Sequence, residues 1–172
     1  MWDRAKFEVE LASVNVANQI LLATFHAVSR RDPYVAVVAH DADSDKAVAL
    51  LCDQFAYTAF KNLFAGAEEI ARKFKHAVVI MPSDLVANPM SLEVDVGRVE
   101  TSAACAQLIM SIDRARTVTL KVNFWDNDVN NFVCLRISGL DYKRLKHFLR
   151  ECDGMLEELY ASRRIDQRFL TQ

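Results

Sequence analysis

Lys121, Asn123 and Trp125 alternate along one stretch of the chain, and Phe132, Cys134 and Arg136 alternate along the next. In strands, successive side chains point to opposite faces, so Thr117, Thr119, Lys121, Asn123 and Trp125 share one side with Phe132, Cys134 and Arg136. Cations, small polar groups and aromatic rings on one curved sheet can hold single-stranded nucleic acid. The cations neutralise phosphates, and unpaired bases stack on rings at roughly 1–3 kcal/mol each. Lys121 and Arg136 are the expected phosphate contacts, with Arg98, Arg114 and Arg116 towards the strand ends; Trp125 is the expected stacking residue, and Thr119 and Asn123 are polar members of the same face. Arg30 and Arg31 would lengthen the track. The same residue types also suit an ordinary solvated strand face with Trp125 packed at a hairpin corner.

Other chemistries find little support. Asp41, Asp43 and Asp45 open like a calcium loop, but Lys46 stands where the loop needs glycine and Cys52 where it needs a bidentate carboxylate, so a hairpin turn is expected. His26, His40, His76 and His147 lie in separate segments without metal-binding spacing, and no Ser or Cys has a nucleophile-elbow context. Four glycines, Gly66, Gly97, Gly139 and Gly154, cannot build a phosphate-cradling loop. No catalytic residue, metal site or cofactor is expected, and the chain reads as non-enzymatic. Cys52, Cys105, Cys134 and Cys152 lack C-x-x-C spacing and sit in apolar periodic segments, which points to buried free thiols and an intracellular, reducing compartment such as cytoplasm, nucleus or organelle matrix.

The elements that must carry this face come from an internal repeat. At 172 residues, 52% hydrophobic and 26% charged, the chain suits one globular domain over 1–172. It starts without an apolar leader, and no run approaches the roughly 18 apolar residues of a membrane span, so no membrane association is expected. A net charge of −2 argues against a duplex-DNA binder with a broad basic surface. Two copies stand at an offset of 85 residues: repeat one over 7–75, a connector over 76–91, repeat two over 92–160, and a C-terminal extension over 161–172. Val35 to Asp43 matches Leu120 to Asp128, and Val48-Ala49-Leu50 matches Val133-Cys134-Leu135, so each copy holds a hairpin closed by Asp/Asn-rich turns. Phe7 to Leu11 matches Leu92 to Val96 as a first strand. The second strand aligns best after a three-residue shift, Gln19 to Leu22 against Gln107 to Met110, which predicts a longer first loop in copy two.

A helix closes each copy. Phe60, Leu63, Phe64, Ala67, Ile70, Ala71 and Phe74 form one apolar stripe, matched by Leu145, Phe148, Leu149, Cys152, Met155, Leu156 and Leu159. Tyr57 matches Tyr142, Lys61 matches Lys146, and Asp53 and Ser138 stand at the N-cap positions. Glu68, Glu69, Glu157 and Glu158, with Arg72, Lys73, Arg163 and Arg164, are expected on solvated helix sides, although the basic segment 163–168 could also contact phosphate or a partner. The fold class is therefore α+β: two tandem β-β-β-β-α units with a pseudo-twofold relation, two antiparallel sheets and two amphipathic helices.

In copy one the face equivalent to the cationic one, Tyr34, Ala36, Val38 and His40 with Ala47, Ala49 and Leu51, reads as apolar, and Tyr34, Ala36, Val38, Ala49 and Leu51 are the expected contact residues. A second subunit or a partner protein is expected to cover it, giving a homo- or hetero-oligomer. An acidic protein-interaction module, a chaperone or assembly subunit working through this face, is the alternative to nucleic-acid binding.

Tandem β-β-β-β-α units of this length resemble the Whirly fold and its relatives, the transcriptional coactivator PC4 and the purine-rich-element-binding PUR proteins. The run Asn131 to Ser138 leading into Leu145, Phe148 and Leu149 is similar to the strand-to-helix junction of a PUR or PC4 unit. The resemblance implies single-stranded DNA or RNA binding on sheet surfaces and assembly as dimers or tetramers. The Lys-Gly-Lys-Ala-Ala-Leu run of plant Whirly proteins is not in this sequence, and the acidic net charge departs from the more cationic members.

Overall fold

The chain alternates two patterns, strands of period two and one helix of period 3.6, and then repeats the whole series. The computed structural model describes residues 6–28, 32–76, 92–113, 117–128 and 130–161. Copy one is β1 (Lys6–Val16), β2 (Gln19–Val28), β3 (Tyr34–Asp41), β4 (Lys46–Cys52) and α1 (Gln54–His76). Copy two is β5 (Leu92–Glu100), β6 (Ala104–Ile112), β7 (Val118–Asp126), β8 (Phe132–Ile137) and α2 (Gly139–Ala161). Each copy forms its own four-stranded antiparallel meander, in the order β1-β2-β3-β4 and β5-β6-β7-β8. The connector over 77–91, Arg30 and Arg31, and the basic segment 163–168 lie outside the described residues.

The second strand corrects the expected three-residue shift. β2 pairs with β3 as Gln19 to Asp41, and β6 pairs with β7 as Ala104 to Asp126, so Gln19 corresponds to Ala104 and the 85-residue offset continues unbroken. The shift had matched apolar letters, but a hairpin's register is fixed by its turn. Both first strands also break register at equivalent points, between Glu10 and Ala12 and between Asp95 and Gly97. The turn residues behave as their types require. Asp41 accepts hydrogen bonds from the Asp43 backbone N–H (3.1 Å) and the Ser44 hydroxyl (3.0 Å), and Asp126 accepts from the Asp128 N–H (2.8 Å). These carboxylates close Asx-type turns.

Asp53 caps its helix as expected, Oδ1 accepting the Ala56 N–H at 2.8 Å. Ser138, by contrast, stands at the cap position with its C=O accepting the Tyr142 N–H at 2.8 Å and its side chain turned to Asp141, Oγ donating to Oδ2 at 3.1 Å. From these starts each helix crosses to the other copy. α1 lies against β5 and β6, α2 lies against β1, and β4 passes across β6, β7 and β8. Phe60 of α1 meets Phe124 of β7, ring centroids 6.3 Å apart. The apolar face of β7 is therefore covered from the first copy, by β4 across it and by Phe60 of α1 at Phe124, rather than by the helix that follows it in the chain. One continuous apolar core results, containing Phe25, Phe60, Phe124 and Phe148 from both copies.

The bulges make this crossing possible. At Gly97 the backbone takes φ +150°, and a Cβ there would stand 3.1 Å from Leu63 Cδ2 of α1. Gly66 sets α1 close to the same strand, where a Cβ would meet Val96 Cγ1 at 3.5 Å. In the other copy Ala12 occupies the position of Gly97, and it is buried beneath α2.

Two equivalent polar bridges join the helices, running antiparallel. Tyr57 donates its hydroxyl to Asp153 Oδ1 at 2.8 Å, and Lys61 Nζ sits 3.1 Å from the same oxygen. Across the pseudo-twofold, Tyr142 donates to Glu68 and Lys146 Nζ stands 2.7 Å from it. Glu68 is thus a bridging acceptor, a correction to its expected place on a solvated side. Lys146, then Tyr142, hold its carboxyl below the usual range by hydrogen bonding. Burial, and then the carboxylate each one faces, pushes both phenols well above theirs. Glu69 does face solvent, paired with Arg72 at 2.7 Å, and Glu157 and Glu158 are exposed.

Candidate nucleic-acid interface

The outer face of the second sheet is built by the alternation of four strands. Register sets Arg98, Gln107, Asn123 and Cys134 in one row across it, Asp95, Ile109, Lys121 and Arg136 in the next, and Trp125 opposite Phe132 in another. Val122, Phe124, Val133 and Leu135, the neighbours along the same strands, point inward and are buried. Packing of β4 and α1 on the inner face thus fixes which side chains are left outside.

Lys121 and Arg136 are direct cross-strand partners. Neither makes an ion pair among the described residues, and Arg136 is exposed. Two cations facing each other repel, a cost of roughly 0.2–1 kcal/mol for a directly opposed like pair. Four residues along β7, about 13 Å at the usual strand rise, Trp125 lies half-buried against Phe132, whose ring is 47% exposed. Asn123 stands between these pairs, and its buried Oδ1 has no hydrogen-bond donor. Thr119 is exposed beyond Lys121.

Of the remaining expected residues, Arg98 is exposed on the same face but engages Glu100 at 3.8 Å, while Arg114 and Arg116 lie outside the described residues. Phe132 was not singled out from the sequence as a site residue. Its signal was its place one hairpin from Trp125, on the outward side of the alternation. The β5 edge is acidic: Glu93, Asp95 and Glu100 all point outward, and Asp95 accepts the Gln107 amide at 3.1 Å. The face is thus positive at Lys121 and Arg136 and mostly negative along β5, where Arg98 is the one cation.

The thiols are free. Cys52, Cys105 and Cys152 are buried, and burial pushes Cys52 and Cys152 up to about 12, too high to act as nucleophiles at neutral pH. Cys134 departs from the expectation of burial, being half-exposed on the outer face of β8, because residues of odd and even number there point to opposite sides.

The equivalent outer face of the first sheet carries different chemistry. Ala36 and Leu51 hold the places of Lys121 and Arg136, and His40 and Ala47 those of Trp125 and Phe132. Ile20 and Leu51 are 38% and 40% exposed, Tyr34 and Val38 are half-buried, Ala49 is exposed, and Ala36 is covered by its neighbours. Tyr34 stacks on His26 at 4.8 Å.

No helix of the described residues is long and apolar enough to cross a membrane. No protein-family model, curated protein or solved structure matches this chain.

Proposed function

We propose that this chain is a non-enzymatic protein that binds single-stranded RNA or DNA on the outer face of its second sheet, with the Whirly-, PC4- or PUR-like architecture that its sequence resembles. The carrying observation is the opposed, ion-pair-free couple Lys121 and Arg136. An anion placed over both would turn their repulsion into attraction. Trp125 and Phe132 supply stacking surface farther along the same strands, so different nucleotides of one strand meet the cations and the rings. Arg98, Arg114 and Arg116 would extend the phosphate contacts, while Thr119 and Asn123 offer polar contacts between. Glu93, Asp95 and Glu100 keep most of the strand over β7 and β8, with Arg98 the one cation that β5 offers.

Anisotropy of labelled single strands and duplex, titrated at several salt concentrations, tests the reading. Two phosphates neutralised on a single strand give a log–log salt slope of about −1.4. Lys121→Ala/Arg136→Ala flattens that slope, whereas Trp125→Ala leaves it and loses about 1–3 kcal/mol of binding. Unchanged binding in the double cation variant would move the site elsewhere.

A second reading concerns the first sheet. Its outer face, with Tyr34, Ala36, Val38, Ala49 and Leu51, joins Ile20 in an exposed apolar band that suits an oligomer or partner interface. Light scattering of Val38→Asp and Leu51→Asp distinguishes the two: a fall in mass supports an oligomer, and an unchanged mass removes it.

A further inference from the structure

An open cleft of about 530 Å³ runs between β1 and the first half of α2. Its strand side is Ser13, Val14 and Asn15, and its helix side carries Lys143, Arg144 and His147. Leu140, 65% exposed, adds apolar surface at one end. The volume falls within the range of ligand sites, roughly 300–1,000 Å³.

β1 is an edge strand. The β1–β2 hairpin closes on Val16 and Gln19 around a two-residue turn, with Ala17 at φ 52°. In such a hairpin the closing pair exchanges hydrogen bonds and the next pair does not, so Val14 bonds inward while the N–H and C=O groups of Ser13 and Asn15 face the open edge. Among the described residues, no backbone–backbone hydrogen bond outside the β1–β2 ladder involves them. The cleft thus presents alternating donors and acceptors at strand spacing.

Its cations are peculiar to one copy. Lys143, Arg144, His147 and Arg150 of α2 correspond to Thr58, Ala59, Asn62 and Ala65 of α1. Arg144 reaches Asp141 at 3.9 Å and His147 reaches Glu151 at 2.8 Å, while Lys143 and Arg150 have no ion pair among the described residues. Glu151 also lines the cleft, so Lys143 and Arg144 leave it a positive excess in a chain of net charge −2.

We propose that this cleft receives an extended acidic segment of a partner protein, which adds to β1 as a fifth strand of the first sheet. Backbone pairing along Ser13 and Asn15 supplies affinity, and Lys143, Arg144 and His147 select carboxylates. A nucleic-acid strand fits less well, because its phosphodiester backbone has no donor for the outward carbonyls.

The test is selection of random decapeptides on phage against the full chain, followed by anisotropy titration of those enriched. Enrichment of peptides alternating acidic and apolar residues is expected. Binding should fall on the order of tenfold in Lys143→Glu/Arg144→Glu, and as much when alternate peptide nitrogens are methylated, with the unfolding midpoint unchanged. Absence of acidic enrichment, or enriched peptides indifferent to both changes, overturns the proposal. So does a variant that loses only oligonucleotide binding, which would assign the cleft to the nucleic-acid track; the reading of the second sheet stands or falls separately.

Discussion

Lys121 and Arg136 face each other where a strand pair would be more stable with one charge reversed. Residues that oppose local stability while serving recognition have a signature: replacing one improves the fold and harms the function. Lys121→Glu creates an opposed ion pair, so denaturant unfolding should show a gain of about 0.2–1 kcal/mol while anisotropy shows loss of single-strand binding. A stability loss with binding intact would contradict the assignment. Cys134 lies on the same face between Phe132 and Arg136, and it offers a native reporter. A bound single strand should slow its alkylation, measured by mass spectrometry, and leave the buried thiols unreactive in both states.

The helices show how element-level contacts respond to pH and to sequence. Glu68, its carboxyl held low by Lys146 and Tyr142, contributes stability that is complete above the ordinary carboxylate range and is lost as pH falls through its lowered folded value. The phenols of Tyr57 and Tyr142, held high, contribute stability that is complete below their ordinary value near 10 and is lost as pH rises beyond it. Glu68→Gln should therefore shallow the acid limb of a stability–pH profile and lower midrange stability by about 0.5–1.5 kcal/mol, the worth of an ordinary hydrogen bond. At the strand bulge, Gly97→Val forces a side chain into Leu63 at a φ that favours glycine, and chemical denaturation should register a loss of at least about 1–3 kcal/mol. The repeat, the hairpins, the cap positions and both helical stripes were legible in the sequence because each is a local pattern. The bulges at Glu10 and Asp95 were not read, although an inserted residue flips the alternation, here from Phe7, Val9 and Leu11 to Ala12, Val14 and Val16, because the match between the first strands stops at Leu11 and Val96. Nor was the crossing of the helices: Tyr57 and Lys61 could be matched to Tyr142 and Lys146, but their acceptors, Asp153 and Glu68, belong to the opposite copy. Of the candidate site, alternation alone revealed the face of Lys121, Asn123, Trp125 and Arg136, whereas the direct opposition of its two cations depended on register.

For the whole molecule, duplication has produced one scaffold with two unlike outer faces. The core draws large side chains from both copies, so Phe60→Ala should cost about 3–5 kcal/mol and leave a single unfolding transition rather than freeing one half. Ala36 and Leu51 replace the cations and His40 and Ala47 replace the aromatic pair on the first sheet, so the proposed nucleic-acid face belongs to the second sheet alone. The most direct test is an anisotropy titration of a short labelled single strand, performed with the native chain and with Lys121→Ala/Arg136→Ala. The account predicts one strand bound per chain, weakened by salt, and bound more weakly with a flatter salt dependence in the variant. Binding of equal strength and salt dependence in both proteins, or no binding to the native chain, would contradict it.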